Sequence, residues 1–349
     1  MSASDQIRLV FWNTFLLHPH PIPGGPGLPP IADLAAPAVP ERASAIGAAL
    51  GRRFDVAALA EAFEPADHAR IAAAWGTDTV RTAAGPARSL LRGPLGFASS
   101  GLFTLVDHHR IARRATHRFR TRGSYLHDAD ALSNKGVLLV EIDLGLGEGG
   151  GNLELYSTHL CWGTGLLPGG NATDPHRRHR VRMAQVDELV RFVERTHRPG
   201  NVVAVVGDMN VPALRPLYPD GPTTEYDDLI ARLGALGLVD VWTTHGTGAG
   251  ATCGAKTDAF ADQADPDDPD ALVDDDALLA AADPTALSER ERIDYVFLAE
   301  ADPTQRARIE ATSIRRYAFP RPPGAPRADR LVRLSDHLAI AVDLSVSSV

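Results

Sequence analysis

Residues 202–211 read VVAVVGDMNV. Val202 to Val206 is a short run of valine and alanine, rich in β-branched side chains and too brief for an ordinary helix. A run that is apolar at every position, not at alternate ones, predicts a strand buried on both faces. It passes directly into Gly207-Asp208-Met209-Asn210, so a carboxylate and a carboxamide stand where a core strand ends.

The same arrangement recurs on either side. Upstream, Ile7 to Trp12 stops at Asn13, Asp55 to Ala60 stops at Glu61, and Leu153 to Ser157 stops at Thr158-His159. Downstream, Asp294 heads the apolar stretch to Leu298, and Asp336-His337 stands before Leu338 to Leu344. Further strands are expected at Gly101 to Val106 and Gly136 to Ile142. Helices are expected from Pro40 to Arg53, from Arg177 to Arg195 and around Tyr226 to Leu236. In the second of these, Val181, Met183, Val186, Leu189, Val190 and Val193 recur at helical spacing. Strands and helices interleave, which is the pattern of a layered α/β fold. Taken singly, a polar residue at a strand end is ordinarily a turn former or a cap. Repeated from strand to strand, such residues gather on one edge, because the strand ends of a sheet converge in space.

The chemical types suit one task. Carboxylate and carboxamide oxygens are hard ligands for Mg²⁺ or Mn²⁺, ions that keep several waters for a phosphate to displace. No Cys/His cluster has the spacing of a structural zinc site. His159 and His337 remain for proton transfer, since imidazole titrates near neutral pH. A hard metal, carboxamides and two histidines together suit hydrolysis of a phosphate ester.

Asn13 in FWNTFLL, Glu61 in LAEAF, His159 in YSTHL, Asp208 and Asn210 in VVGDMNV, Asp294 in RIDYVF and Asp336-His337 in LSDHLAI appear in a telling order. That order resembles the endonuclease/exonuclease/phosphatase superfamily from residue 8 to residue 344, with GDMN followed by SDH as its most specific part. Glu64 lies one helical turn from Glu61 as an alternative in the LAEAF segment. LSNKGVLLVEI (Leu132 to Ile142), LELYSTHL, the opening NTFLL and the helix carrying Arg182, Gln185, Glu188 and Leu189 look like the neutral and bacterial sphingomyelinase branch.

The resemblance implies a single domain over residues 1–349, a four-layer sandwich of two packed mixed β-sheets flanked by helices, as in DNase I. It implies that Asn13 and Glu61 hold Mg²⁺, with Mn²⁺ as an alternative, and that Asp336 joins the metal site or supports it. His337 would be the general base and Asp294 its orienting partner. Asp208 and Asn210 would position water and phosphate, and His159 would bond the phosphate or assist the leaving group. Asn134 and Lys135 would bind substrate, Lys135 as a point charge near the phosphate. Without the resemblance, Asn134-Lys135-Gly136 reads as a polar turn entering a strand.

Charge bears on the partner. The 349 residues hold 35 Lys and Arg against 44 Asp and Glu, a net charge of −9. Nucleic-acid binders usually carry a basic footprint, so this balance counts mildly against nucleic acid. It is the resemblance that implies a phosphoester of the phospholipid type, with peripheral contact to a membrane surface, as the expected substrate. No obligate protein partner is evident. Much of the negative charge sits in residues 258–283, a low-complexity acidic stretch expected to be a solvated insertion loop. Basic clusters at Arg110 to Arg122 and His176 to Arg182 are either an anionic contact surface or, as favoured here, a solvated face. The apolar Leu90-Leu91 and Leu95-Gly96-Phe97 suit a membrane contact or core packing equally. The start, MSASDQIRLVFWN, has no basic region followed by an apolar one, and no stretch is apolar enough to span a bilayer, so a cytoplasmic protein is expected. Rival readings on the same fold are a nuclease, a phosphatase of inositol phosphates or other small phosphoesters, and a catalytically inactive binding scaffold.

Overall fold

The valine run lies inside a strand, Val202–Asp208, that is buried at every residue. The computed structural model describes residues 5–17, 36, 38–51, 53–87, 99–122, 133–147, 150–162, 176–213, 225–254, 290–319 and 334–349. In chain order the elements are β1 (Asp5–Leu16), α1 (Val39–Leu50), β2 (Val56–Ala62), α2 (Pro65–Trp75), β3 (Arg81–Ala84), β4 (Phe103–Val106), β5 (Arg110–Arg118), β6 (Gly136–Asp143) and β7 (Leu153–His159). They continue with α3 (Arg177–Thr196), β8 (Val202–Asp208), α4 (Glu225–Gly234), β9 (Leu238–Asp240), α5 (Val241–His245), β10 (Cys253–Gly254), β11 (Arg290–Glu291), β12 (Asp294–Ala299), β13 (Ala307–Tyr317) and β14 (Ala339–Ser348).

Two six-stranded sheets form, in the orders β13-β14-β1-β2-β4-β3 and β5-β6-β7-β8-β12-β9. Each is mixed and holds one parallel pair, β1 with β2 and β7 with β8. A parallel pair needs a crossover, and α1 and α3 supply it. Strand faces explain the layers. Ile7, Leu9 and Phe11 of β1 pack with Leu138, Val140, Val206, Val296 and Ile340 in the core between the sheets. Val10 and Trp12, on the opposite face, pack against Ile46 and Leu50 of α1 and Ile71 and Trp75 of α2. On the other sheet Leu139, Tyr156, Val205 and Phe297 face Val186 and Leu189 of α3 and Leu229 of α4. The result is the expected helix–sheet–sheet–helix sandwich of the DNase I type, with strands apolar on both faces because both are covered.

Several elements were not legible in the sequence. The Arg110 to Arg122 cluster contains β5, an edge strand with an exposed and half-buried alternation. Charges on an edge strand block further strand pairing, which is a physical use for that arginine density. Strand β13 and helix α2 were also missed. β13, also an edge, alternates buried apolar with exposed charged residues over Ala307 to Glu310. Residues 258–283 and the Leu90 to Phe97 patch lie outside the described residues. No helix among the described residues is long and apolar enough to cross a membrane. Cys161 and Cys253 are both free thiols.

Candidate active site

Register places the predicted residues at one pole of the sandwich. On the second sheet His159 is paired with Asp208, and Asp208 with Asp294, so three polar groups stand side by side at one level. On the first sheet Asn13 is paired with Ala60, and Glu61 follows it. Ser335-Asp336-His337 leads into β14, which lies beside β1. These are the carboxyl ends of both parallel pairs, where open α/β sheets offer a crevice to ligands.

Hydrogen bonds join the two sheets there. Asn13 Nδ2 donates to Asp208 Oδ2 at 2.9 Å and lies 3.5 Å from His337 Nε2. His337 Nδ1 lies 2.8 Å from Asp294 Oδ2. His159 Nε2 is 3.4 Å from Asp208 Oδ2 and 3.9 Å from Glu61 Oε1. The Asn210 amide N–H donates to Asp208 Oδ1 at 2.9 Å, fixing that carboxylate from its other side. Two further donors, Lys135 Nζ at 2.6 Å and Asn210 Nδ2 at 3.1 Å, converge on the carbonyl of Leu160. Asn134 is buried next to Lys135, just ahead of β6. Asp336 is half-buried, and the Ser335 hydroxyl lies 3.4 Å from its Oδ1. Every predicted residue is therefore at or beside this pole. Glu64, the alternative to Glu61, stands instead at the N-cap of α2.

The backbone is bent to achieve this. Glu61 and Asn210 have left-handed φ values of 57° and 49°. Such a conformation costs a non-glycine residue about 1–3 kcal/mol and persists only where surroundings enforce it. Gly101 is part of that enforcement, since a Cβ there would sit 3.1 Å from the Glu61 Cα and 2.8 Å from the Phe63 ring. Likewise a Cβ on Gly207 would come within 2.5 Å of the Thr158 carbonyl, so glycine lets β7 and β8 approach just before His159 and Asp208.

Electrostatics identify an acidic centre. Burial, the neighbouring Asp336 and then Asp208 push the Glu61 carboxyl up to about 8, against the opposing pull of Lys135 and His337. About a sixth of the Glu61 side chain stays open to solvent, yet its Oε2 is enclosed and has no hydrogen-bond partner among the described residues. A buried carboxylate oxygen aimed at nothing, with further carboxylates raising its pKa, is what a hard divalent cation would satisfy. The donor set thus fits Mg²⁺ or Mn²⁺. A tighter trio, Asp208, Asp294 and His337, also brings one ligand atom each within 4.8 Å of the others. Burial alone would lower the His337 pKa, but the Asp294 carboxylate, aided by the Cys253 thiol, holds it well above the usual histidine value.

Supporting residues escaped the sequence reading. The Ser335 hydroxyl donates to the Asn13 carbonyl at 2.6 Å and accepts from the His337 amide at 3.1 Å. Trp12 Nε1 donates to the His337 carbonyl at 3.0 Å. The Thr252 hydroxyl accepts from the Asp294 amide at 3.3 Å. Ser335 had a signal, its place beside Asp336-His337; Thr252 and Trp12 had none. The Arg182, Gln185 and Glu188 helix face is an anchor. Gln185 Oε1 accepts from the Cys161 amide, Gln185 Nε2 donates to the Thr121 carbonyl, and Glu188 accepts the amides of Arg120 and Thr121. It thereby fixes the strand exits next to His159 and Lys135. A cavity of about 470 Å³ lined by His197, Asn201 and Gln305 lies at the opposite pole, away from these groups.

No family model matches the chain. A Caenorhabditis elegans protein provisionally named a neutral sphingomyelinase is 32% identical over 118 residues, a third of this chain. The match spans only a quarter of that relative's length. Among solved structures, beta toxin from Staphylococcus aureus superposes with a TM-score of 0.62 at 18% identity, covering 96% of this chain and 99% of that one. Another beta toxin structure holds bound magnesium ions. D. rerio TDP2 complexed with a single-strand DNA product gives 0.57 at 16% identity, covering 98% and 99%. An endonuclease/exonuclease/phosphatase from Beutenbergia cavernae gives 0.55 at 16% identity, covering 98% of this chain and 72% of its own. The chain has the endonuclease/exonuclease/phosphatase fold, as its motifs implied.

Proposed function

We propose that this chain hydrolyses a phosphodiester with the help of a bound divalent cation, and that its substrate is a phospholipid head group. The observation that carries the first half is the meeting of Asn13, Glu61, His159, Asp208, Asp294 and His337 at one pole, drawn from both sheets. The second half is supported by the sphingomyelinase-named relative, the SNKG segment and the net charge of −9.

Glu61, with Asn13 and Asp336, would hold the ion. The orphan Oε2 of Glu61 supports this set; in the tighter trio Asp294 Oδ1 is likewise without a partner, but Asp208 Oδ2 and His337 Nδ1 are already engaged by Asn13 and Asp294. When bound, Mg²⁺ or Mn²⁺ supplies Lewis acidity against the charge that develops on the phosphate. His337 takes the proton of the attacking water through Nε2, while Asp294 on Nδ1 fixes the ring and stabilises the imidazolium formed. Asp208, held by Asn13 and the Asn210 amide, orients that water. His159 donates to the phosphate or the leaving oxygen. Lys135 contributes positive charge close to Glu61.

The test is phosphocholine release from sphingomyelin in mixed micelles with Mg²⁺ and with EDTA, beside plasmid DNA and a generic phosphodiester. Release that disappears with EDTA is expected. Metal-dependent DNA nicking without lipid cleavage would replace the substrate but keep the site. The nuclease is the second reading, favoured by the likeness to the TDP2–DNA complex. Turnover unaffected by EDTA would sink the metal-dependent reading.

A further inference from the structure

The end of β1 is irregular. Its register to β2 shifts between Asn13 and Leu16, and Phe15 adopts a left-handed φ of 50°. This bulge turns the Asn13 carboxamide toward Asp208, and the Phe15 amide caps its Oδ1 at 3.2 Å. A bulge also takes main-chain groups out of the ladder, and a buried carbonyl must then find another donor. The donor is Arg42 of α1, almost wholly buried. Its Nη1 donates to the Thr14 carbonyl at 3.1 Å and its Nη2 to the Phe15 carbonyl at 2.6 Å. Nη1 also donates to the Leu334 carbonyl at 2.8 Å, at the start of the segment that carries Ser335, Asp336 and His337. The Thr14 hydroxyl in turn donates to the Ala60 carbonyl at 2.8 Å, immediately before Glu61. One guanidinium therefore ties the strand end that bears Asn13 to the segment that bears Asp336-His337, and the Thr14 side chain extends the link to the strand end of Glu61.

We infer that Arg42 is a positioning residue for the cation site, clamping the strand end of Asn13 to the Asp336-His337 segment and, through Thr14, to the strand end of Glu61. The inference rests on the metal-dependent reading above. The planar fork of arginine reaches carbonyls on both sides at once, which a lysine ammonium on the same helix cannot do. Shared burial alone would give a different result: loss of Arg42 would then lower stability and leave cation affinity where it was.

The experiment compares the full chain with Arg42→Lys and Arg42→Gln. A packing control on the same helix is Ile46→Val or Ile46→Ala, whichever matches Arg42→Lys in melting temperature; Ile46 lies in the outer core, and its hydrocarbon side chain has no donor for these carbonyls. Mn²⁺ affinity is read by titration calorimetry on the metal-free protein, and kcat and KM are read on bis(p-nitrophenyl) phosphate. Residues that orient metal ligands typically contribute about 10–100-fold in affinity or activity, so Arg42→Lys is expected to lose that much Mn²⁺ affinity and kcat with KM little changed. The Ile46 control is expected to keep wild-type Mn²⁺ affinity. Arg42→Lys with wild-type affinity and kcat overturns the inference, and so does an Ile46 control that loses affinity in parallel. A wild type that binds Mn²⁺ and turns over, beside an unaltered Arg42→Lys, refutes Arg42 alone. A wild type that binds no Mn²⁺ refutes the metal-dependent reading and this inference with it.

Discussion

His337 and Asp294 meet across the seam of the two sheets, Nδ1 to Oδ2 at 2.8 Å, from positions 43 residues apart in the chain. Asp294 begins β12 of one sheet and His337 stands just ahead of β14 of the other, and both are buried. A buried imidazole beside a buried carboxylate is stabilised in its charged form, which is why its pKa rises despite the cost of burial.

The first prediction follows from that pair. His337→Ala is expected to lower turnover by about 10²- to 10⁴-fold while keeping the fold. As a base His337 must be neutral, so the acid limb of kcat/KM should lie above the usual histidine pKa, and Asp294→Asn should move it down. The stability contributed by the pair has the opposite sense. It is complete below the unfolded histidine pKa and is lost as pH rises through the raised folded one. Near-wild-type turnover in His337→Ala, measured beside its circular dichroism spectrum, would remove His337 from the reaction.

Glu61 supplies a second. Its folded pKa of about 8 against 4.5 means that the folded chain holds a proton which the unfolded chain releases between those pH values. Stability of the metal-free protein should therefore fall from pH 5 to pH 8 by an amount on the order of 4 kcal/mol from this group. Glu61→Gln should flatten that slope, and Mg²⁺ should raise the melting temperature of the wild type but not of Glu61→Gln. Thermal melts at three pH values with and without Mg²⁺ decide it; equal slopes in both proteins would exclude Glu61 as the source.

Asp107 gives a prediction about stability alone. Its buried carboxylate accepts from Trp75 Nε1 at 3.0 Å, the Thr77 hydroxyl at 2.8 Å, the Thr79 hydroxyl and the His108 amide at 2.9 Å. Burial opposes ionisation, but these donors outweigh it and hold the pKa low. The resulting stability is present above the unfolded pKa and lost as pH falls through the lowered folded one. Asp107→Ala should destabilise by about 2–4 kcal/mol, because several donors are left buried and unmet. Urea titration at neutral pH measures this, and a change below half a kcal/mol would contradict it.

Arg113 separates stability from the site. It bonds Glu141 Oε2 at 2.6 Å, Glu154 Oε1 at 3.0 Å and the Thr196 carbonyl at 2.8 Å, and both carboxylates are buried. Glu154 lies near the start of β7, whereas His159 is at its end. Arg113→Met leaves Glu141 with Arg198 at 3.4 Å and Glu154 with His197 at 2.9 Å but removes the shared guanidinium donors, and should cost about 1–3 kcal/mol. Turnover per folded molecule at low temperature should be unchanged. A fall in kcat matching the fall in stability would show that the far pole is coupled to the site.

The sequence by itself determined the class of fold and the identity of the polar residues. A strand buried on both faces is a continuous apolar run, so VVAVV and its counterparts are visible, and so is the amphipathic Arg177 to Arg195 helix. The polar residue that ends such a run is visible for the same reason, as a break in an otherwise apolar pattern. What only the tertiary structure decided is what meets what. Edge strands β5 and β13 carry charge at exposed positions, so neither presents the continuous apolar run that marks a core strand. Arg42 reads in the sequence as one more helix-surface charge, and its burial depends on carbonyls contributed by residues 14, 15 and 334. Side-chain identity is local and written in the chain, whereas burial and hydrogen-bond partnership are set by contacts between segments far apart in it.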